Sequence, residues 1–234
     1  MLVGYVQENL PRMSEEDGLA VLSNRHCTTA IVAEIASSPR LTAHDSIRIR
    51  LVEHRSTPQG QALRFINYLR WPDLLRLSVS MLVLPPVRRA IDIRLGALLP
   101  ELTLGEKIAA AKRCSRDLIT RLMFDPDPRV FSAVLINPRL VEDDLVRLIA
   151  FERVEVDKLI QIANDRKWSL RYAIRLALLT NEKTPRAIAA RQLRYLTRRD
   201  LGQILESPST SVYLRRCIER MDSEESSSER FPPP

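Results

Sequence analysis

The chain of 234 residues is poor in several residue types on which common folds and sites depend. Glycine occurs six times, at positions 4, 18, 60, 96, 105 and 202, and no two are close enough to shape a glycine-rich loop around a phosphate. P-loop and dinucleotide-binding readings therefore fall. Aromatic residues make up 5% of the chain, and the turn-bounded β-branched runs of a sandwich or barrel are missing. The three cysteines, Cys27, Cys114 and Cys217, are odd in number, far apart and without a CxxC pair, which fits a reduced compartment. His26, His44 and His54 show no i, i+4 spacing of a helical metal motif, so no metal or other cofactor is expected. His26 and Cys27, adjacent on a helix, point about 100° apart and make no base–thiol pair. No stretch approaches the roughly 18 apolar residues that span a bilayer. The start MLVGYVQENL also lacks the basic-then-apolar order of an export signal. A cytoplasmic chain without a membrane span is the expectation.

What is present is leucine, arginine and helical periodicity. Hydrophobic residues are 45% of the chain, with 34 Leu, enough to bury one sizeable core or a row of smaller ones. Apolar positions recur at helical spacing in segments of about ten to fifteen residues. These are punctuated by helix starts: Thr57-Pro58, Thr184-Pro185 and Asp127-Pro128 pair a capping side chain with a proline at the first helical position. Thr42 with Asp45, Thr103 with Glu106 and Thr197 with Asp200 have capping-box spacing. The punctuation predicts about fifteen short helices, starting near 15, 25, 43, 58, 72, 86, 104, 116, 128, 141, 155, 167, 185, 198 and 210. Helices this short cover their apolar faces best as antiparallel hairpins stacked side by side.

Internal repetition supports stacking. Residues 57–94 lie over 184–221 at a constant interval of 127 without a gap, and twelve of the 38 positions are identical, among them Tyr68/Tyr195, Asp73/Asp200 and Arg88-Arg89/Arg215-Arg216. A shorter echo places 38–48 over 137–147 at an interval of 99. The difference between the intervals predicts an extra hairpin in the second half, between 153 and 181. The expected organisation is an N-terminal extension over 1–12, one continuous stack over 13–221 and an unstructured acidic tail over 222–234, where MDSEESSSERFPPP loses apolar periodicity.

The string DPDPRVFSAVLINPRLVEDDLVRLIA (125–150), and TPRAIAARQLRYLTRRDL (184–201) after it, resemble the leucine-rich-variant and HEAT-like repeats of bacterial α-solenoids. The resemblance implies an all-α, right-handed solenoid of antiparallel hairpins with a concave binding face, and little chemistry, because such repeats serve unrelated activities. Trp168 with Asp165, Arg166, Lys167 and Arg171 is loosely similar to the Trp, Asp and Arg of HEAT-like DNA glycosylases. Only residue type is shared, so no catalytic role is carried over. The run Glu142-Asp143-Asp144 sits where acidic side chains favour a helix N-terminus and is read as structural.

Charge supplies the remaining lead. The net charge is +7, and 31 of the 36 basic residues are Arg. Segments 48–95 and 183–221 each carry nine basic and three acidic residues. Arg191, Arg194, Arg198, Arg199, Arg215 and Arg216 in the second block form the candidate binding set. Internal pairing with Asp73, Asp92, Asp200 and Glu219 is the structural alternative. The expected function is a non-enzymatic scaffold that binds a protein through an acidic segment. The alternative is a nucleic-acid-binding protein, with a repair glycosylase as its enzymatic form. A third reading, self-association through apolar ends such as MLVGYV, leaves the oligomeric state open.

Overall fold

The protein is all-α. The structure, a computed structural model, describes the backbone of residues 2–207 and 210–230, and side chains over 3–207 and 210–221. Among the described residues there are seventeen α-helices, one short 3-10 turn and no strand. By their contacts the helices gather into two compact units.

The first unit is the chain up to Leu122, joined by Asn137–Arg139. It holds α1 (Leu2–Asn9), α2 (Glu15–Ser23), α3 (Thr29–Ser37), α4 (Pro39–Thr42) and α5 (Asp45–Glu53). It continues with α6 (Gln59–Ile66), α7 (Trp71–Ser78), α8 (Pro85–Leu98), α9 (Leu104–Ala111) and α10 (Arg116–Leu122). The second unit is Met123–Ile136 and the chain from Leu140 on. Its helices are α11 (Pro128–Leu135), α12 (Glu142–Ala150), α13 (Val156–Asn164), α14 (Tyr172–Thr180), α15 (Arg186–Leu193), α16 (Arg198–Glu206) and α17 (Val212–Arg230).

The amphipathic helices, such as α12, each present one apolar stripe. In α12 the stripe is Leu145, Leu148 and Ile149, at i, i+3, i+4. Burying each of these side chains contributes about 1.5–3 kcal/mol. Principal packing partners lie one to three helices apart along the chain, as in a helical repeat: α1 on α3, α2 on α5, α5 on α6 and α6 on α8. Gly18 permits the close approach of α2 and α5, since a Cβ there would meet Ile47 Cδ1 at 2.9 Å.

The interval of 127 reaches well beyond residues 57–94. Helices α2 and α12, α3 and α13, α5 and α14, and α6 and α15 each begin and end 127 residues apart, and α7/α16 and α8/α17 begin so. The packing recurs as α11 on α13, α12 on α14, α14 on α15, and α15 on α17. Side-chain contacts recur too. The guanidinium of Arg48 stands 5.3 Å from the ring centre of Tyr68, and that of Arg175 stands 3.9 Å from that of Tyr195. Arg64 Nη2 donates to the Ala36 carbonyl at 3.3 Å, and Arg191 Nη2 to the Ala163 carbonyl at 3.1 Å.

Several local expectations are corrected. With α2 and α12 already 127 residues apart, 153–181 contains no additional hairpin; α9 and α10 lie outside the matched helices. The echo at an interval of 99 is one of composition, because Pro39 opens α4 whereas Pro138 lies in a turn. Thr57 and Thr184 stand one residue before the N-caps, which are Pro58 and Pro185, and Thr57 Oγ1 donates to the Leu51 carbonyl. Thr42 closes α4 and bonds to the Ser38 carbonyl, while His44 occupies the N-cap of α5. Asp127 and Thr103 cap as expected, and Ser14 with Asp17 forms a capping box not singled out from sequence. Residues 1–12, set apart as an extension, include α1, whose Val6 is buried. Helix α17 runs to Arg230, through much of the stretch set apart as an unstructured tail, and 231–234 lie outside the described residues.

Candidate binding surface and groove of the second unit

The arginines of the two basic blocks are used differently. In the first, several guanidinium groups meet carboxylates: Arg48 lies 2.8 Å from Asp45, Arg76 2.7 Å from Glu53, and Arg70 3.9 Å from both Asp45 and Asp73, while Arg64 holds a carbonyl and Arg55, Arg89 and Arg94 are exposed. In the second, the structure divides the six candidates. Arg191 donates to the carbonyl at the end of α13, and Arg215 ties the loop before α17 through the carbonyls of Thr210 (3.3 Å) and Ser207 (2.7 Å). Carbonyls are neutral acceptors, so these two arginines keep their full positive charge. Arg194 at the end of α15, Arg198 and Arg199 at the start of α16, and Arg216 on α17 are exposed.

Asp200 shows how this surface is anchored. Its Oδ2 accepts from the hydroxyls of Thr197, at 2.7 Å, and Tyr172. These hydrogen bonds, Thr197 first, hold its pKa below the ordinary carboxylate range, with Arg199 adding to the effect. The Tyr172 hydroxyl also accepts the Thr197 backbone N–H at 3.1 Å, fixing the start of α16 against α14.

Beside it lies a groove that sequence reasoning missed. Of about 830 Å³, it is walled by α12, α14, α15, α16 and the start of α17. Its floor is aliphatic, from Val146, Leu176, Leu179, Ile204 and Leu214, and Ala150, Ala173, Ala177 and Ala189 leave it open. Arg186, Asp200, Gln203 and Thr184 stand in its walls and rim. No motif marks these residues, because they are ordinary helix positions scattered over about 70 residues. The signal available was the small residue at 177 where the first copy has Arg50.

The cluster around Trp168 is structural. Trp168 is 2% exposed, and its indole N–H donates to the Leu135 carbonyl at 2.9 Å. Asp165 Oδ1 accepts the backbone N–H groups of Lys167 and Trp168 at 2.8 and 2.9 Å. Glu142, Asp143 and Asp144 occupy the first turn of α12. Among the described residues no three His, Cys, Asp or Glu side chains are grouped to hold a metal ion, and no helix is long and apolar enough to cross a membrane. Burial pushes the Cys27 thiol up and Cys114 to about 12, so neither is a ready nucleophile at neutral pH.

No known protein family, curated protein or solved structure matches the chain.

Proposed function

We propose that the protein is a non-enzymatic binding module of HEAT-like helical hairpins that recognises an acidic polypeptide segment through the surface of α15–α17. The observation that supports this reading is a difference in degree between the basic blocks: Arg48, Arg50, Arg70 and Arg76 of the first stand against carboxylates, whereas Arg191 and Arg215 of the second stand on neutral carbonyls and Arg194, Arg199 and Arg216 are exposed. A positive field that is not cancelled internally steers and selects anionic partners.

The test is a titration of a labelled Glu/Ser-rich peptide and of duplex DNA at low and physiological salt. The peptide should bind the protein, and Arg194→Ala/Arg199→Ala/Arg216→Ala should weaken it about tenfold or more, as loss of three charge contacts of roughly 0.5–1 kcal/mol each implies. Tighter binding of DNA, falling steeply between about 50 and 200 mM salt, would instead assign the surface to nucleic acid.

A further inference from the structure

We propose that the groove of the second unit receives an aliphatic side chain of the acidic segment, at positions that the first unit fills with its own side chains. The partner's charge rests on the surface reading above, whereas the site rests on comparison of the two copies. At the 127-residue interval Ala177 stands for Arg50, Thr180 for Glu53, Gln203 for Arg76 and Ala150 for Ser23. In the first unit those four residues form one network. Arg76 Nη1 donates to Glu53 Oε1 at 2.7 Å, Arg50 Nη1 lies 3.8 Å from Glu53 Oε2, and Arg50 Nη2 donates to Ser23 Oγ at 3.3 Å. The Glu53 side chain is 10% exposed, covered by Arg50 and Arg76, whose own side chains are 35% and 53% exposed. In the second unit every member of the network is replaced by a side chain that is shorter or has lost its charge, and the groove opens.

The lining specifies the occupant. A floor of Val, Leu and Ile suits a saturated side chain, whose burial is favourable in proportion to the area removed from water. The recess is elongated, continuing along α14 into a second hollow of about 380 Å³ that shares Ala150, Ala177 and Thr180. That shape fits an extended chain. Thr184, 7% exposed, lines the groove with its Oγ1 unpartnered, whereas Thr57 Oγ1 in the other copy donates to the Leu51 carbonyl at 2.5 Å. With the exposed Gln203 amide, this hydroxyl offers polar groups of the kind that pair with peptide backbone.

Charge gives the flanks of the segment. Arg186 lines the groove, and Arg199 stands one helical turn before Gln203 on α16. The opposing carboxylates are Asp200, held by Thr197 and Tyr172, Glu182, and Glu152 in the second hollow, so the excess positive charge comes from Arg186 with Arg194, Arg199 and Arg216 on the surface beside the groove. The occupant is thus a segment with an aliphatic residue set among acidic ones.

Two labelled Glu/Ser peptides, identical except for a central Leu or Ala, test this at low salt. The Leu peptide should bind about tenfold or more tightly than the Ala peptide, the difference a buried Leu provides. Grafting the first unit's network with Ala177→Arg/Thr180→Glu/Gln203→Arg should abolish that preference. The graft raises net charge by one, so loss of the Leu preference cannot come from weaker attraction to the acidic probe. If the graft does not fold by circular dichroism, Ala177→Met, which fills the groove without charge, takes its place. Equal, salt-sensitive binding of both peptides to the parent protein overturns the groove and leaves the surface reading standing, as does a preference that survives filling. Binding of neither peptide overturns both.

Discussion

Asp92 illustrates what a single buried carboxylate does to this protein. It is 9% exposed on α8, and its Oδ1 accepts the Ser115 hydroxyl at 2.7 Å. Burial pushes its pKa up, against the hydrogen bond from Ser115, with Asp117 raising it further and Arg88 opposing. A raised carboxyl binds its proton more tightly in the folded than in the unfolded chain. Its charged form therefore costs stability above the ordinary carboxylate range, and stability is regained as pH falls through the raised value. Asp92→Asn, which keeps an acceptor for Ser115, should raise the melting temperature at pH 7 and flatten its dependence between neutral and mildly acid pH. Thermal melts across that range check this; an unchanged slope would mean that Asp92 is not the titrating group. In the sequence Asp92 was one of four acids available to pair with arginine. Nothing in the linear order distinguishes an acid held by a serine hydroxyl from one held by guanidinium, because the partner arrives from another helix.

Helices were the most legible elements, since their starts carry local chemistry. Proline and capping residues act within one turn, and fourteen of the fifteen expected starts fall within about four residues of an observed one; the start near 167 opens on a turn instead, with α14 beginning at Tyr172. The short α4 escaped, because four residues are too few for a periodic pattern. Thr57 misled for a different reason: its hydroxyl found a buried carbonyl on α5 before it could cap its own helix. Arg64 and Arg191 show a long-range contact that did leave a trace, since both recur at the same interval, but the trace does not say what they hold. Each satisfies a carbonyl at the C-terminal end of a helix two or more elements earlier, where partial negative charge accumulates. Arg64→Ala and Arg191→Ala should each cost about 1 kcal/mol, near the lower end for a charge-assisted hydrogen bond because both residues are exposed. Urea melts of the two variants should shift by similar amounts; a shift in one alone would show that the copies do not share this support.

At the scale of the whole molecule, six helices between α2 and α8 recur 127 residues on as α12–α17, one arrangement that differs between its two occurrences where side chains meet. The packing pairs of the second unit recur in the first, whereas Arg50, Glu53 and Arg76 have given way to Ala, Thr and Gln. Because Glu53 is the shared counter-ion, Glu53→Thr alone should leave two partly exposed guanidinium groups without it and destabilise the protein by about 1 kcal/mol. Arg50→Ala/Glu53→Thr/Arg76→Gln should be less destabilised than the single variant, a non-additivity readable in denaturant titrations; equal or greater loss in the triple variant would show that packing, not charge balance, dominates. The sequence by itself determined the helical class, most helix starts, the repeat and the uneven charge, because each follows from periodicity, local capping and composition. Tertiary structure alone decided that the helices form two units, that Arg191 and Arg215 serve carbonyls while Arg194, Arg199 and Arg216 face solvent, and that a groove opens beside them. Those outcomes depend on which side chains from distant helices reach the same space, and the volume they leave is a difference between neighbours that no single stretch of chain records.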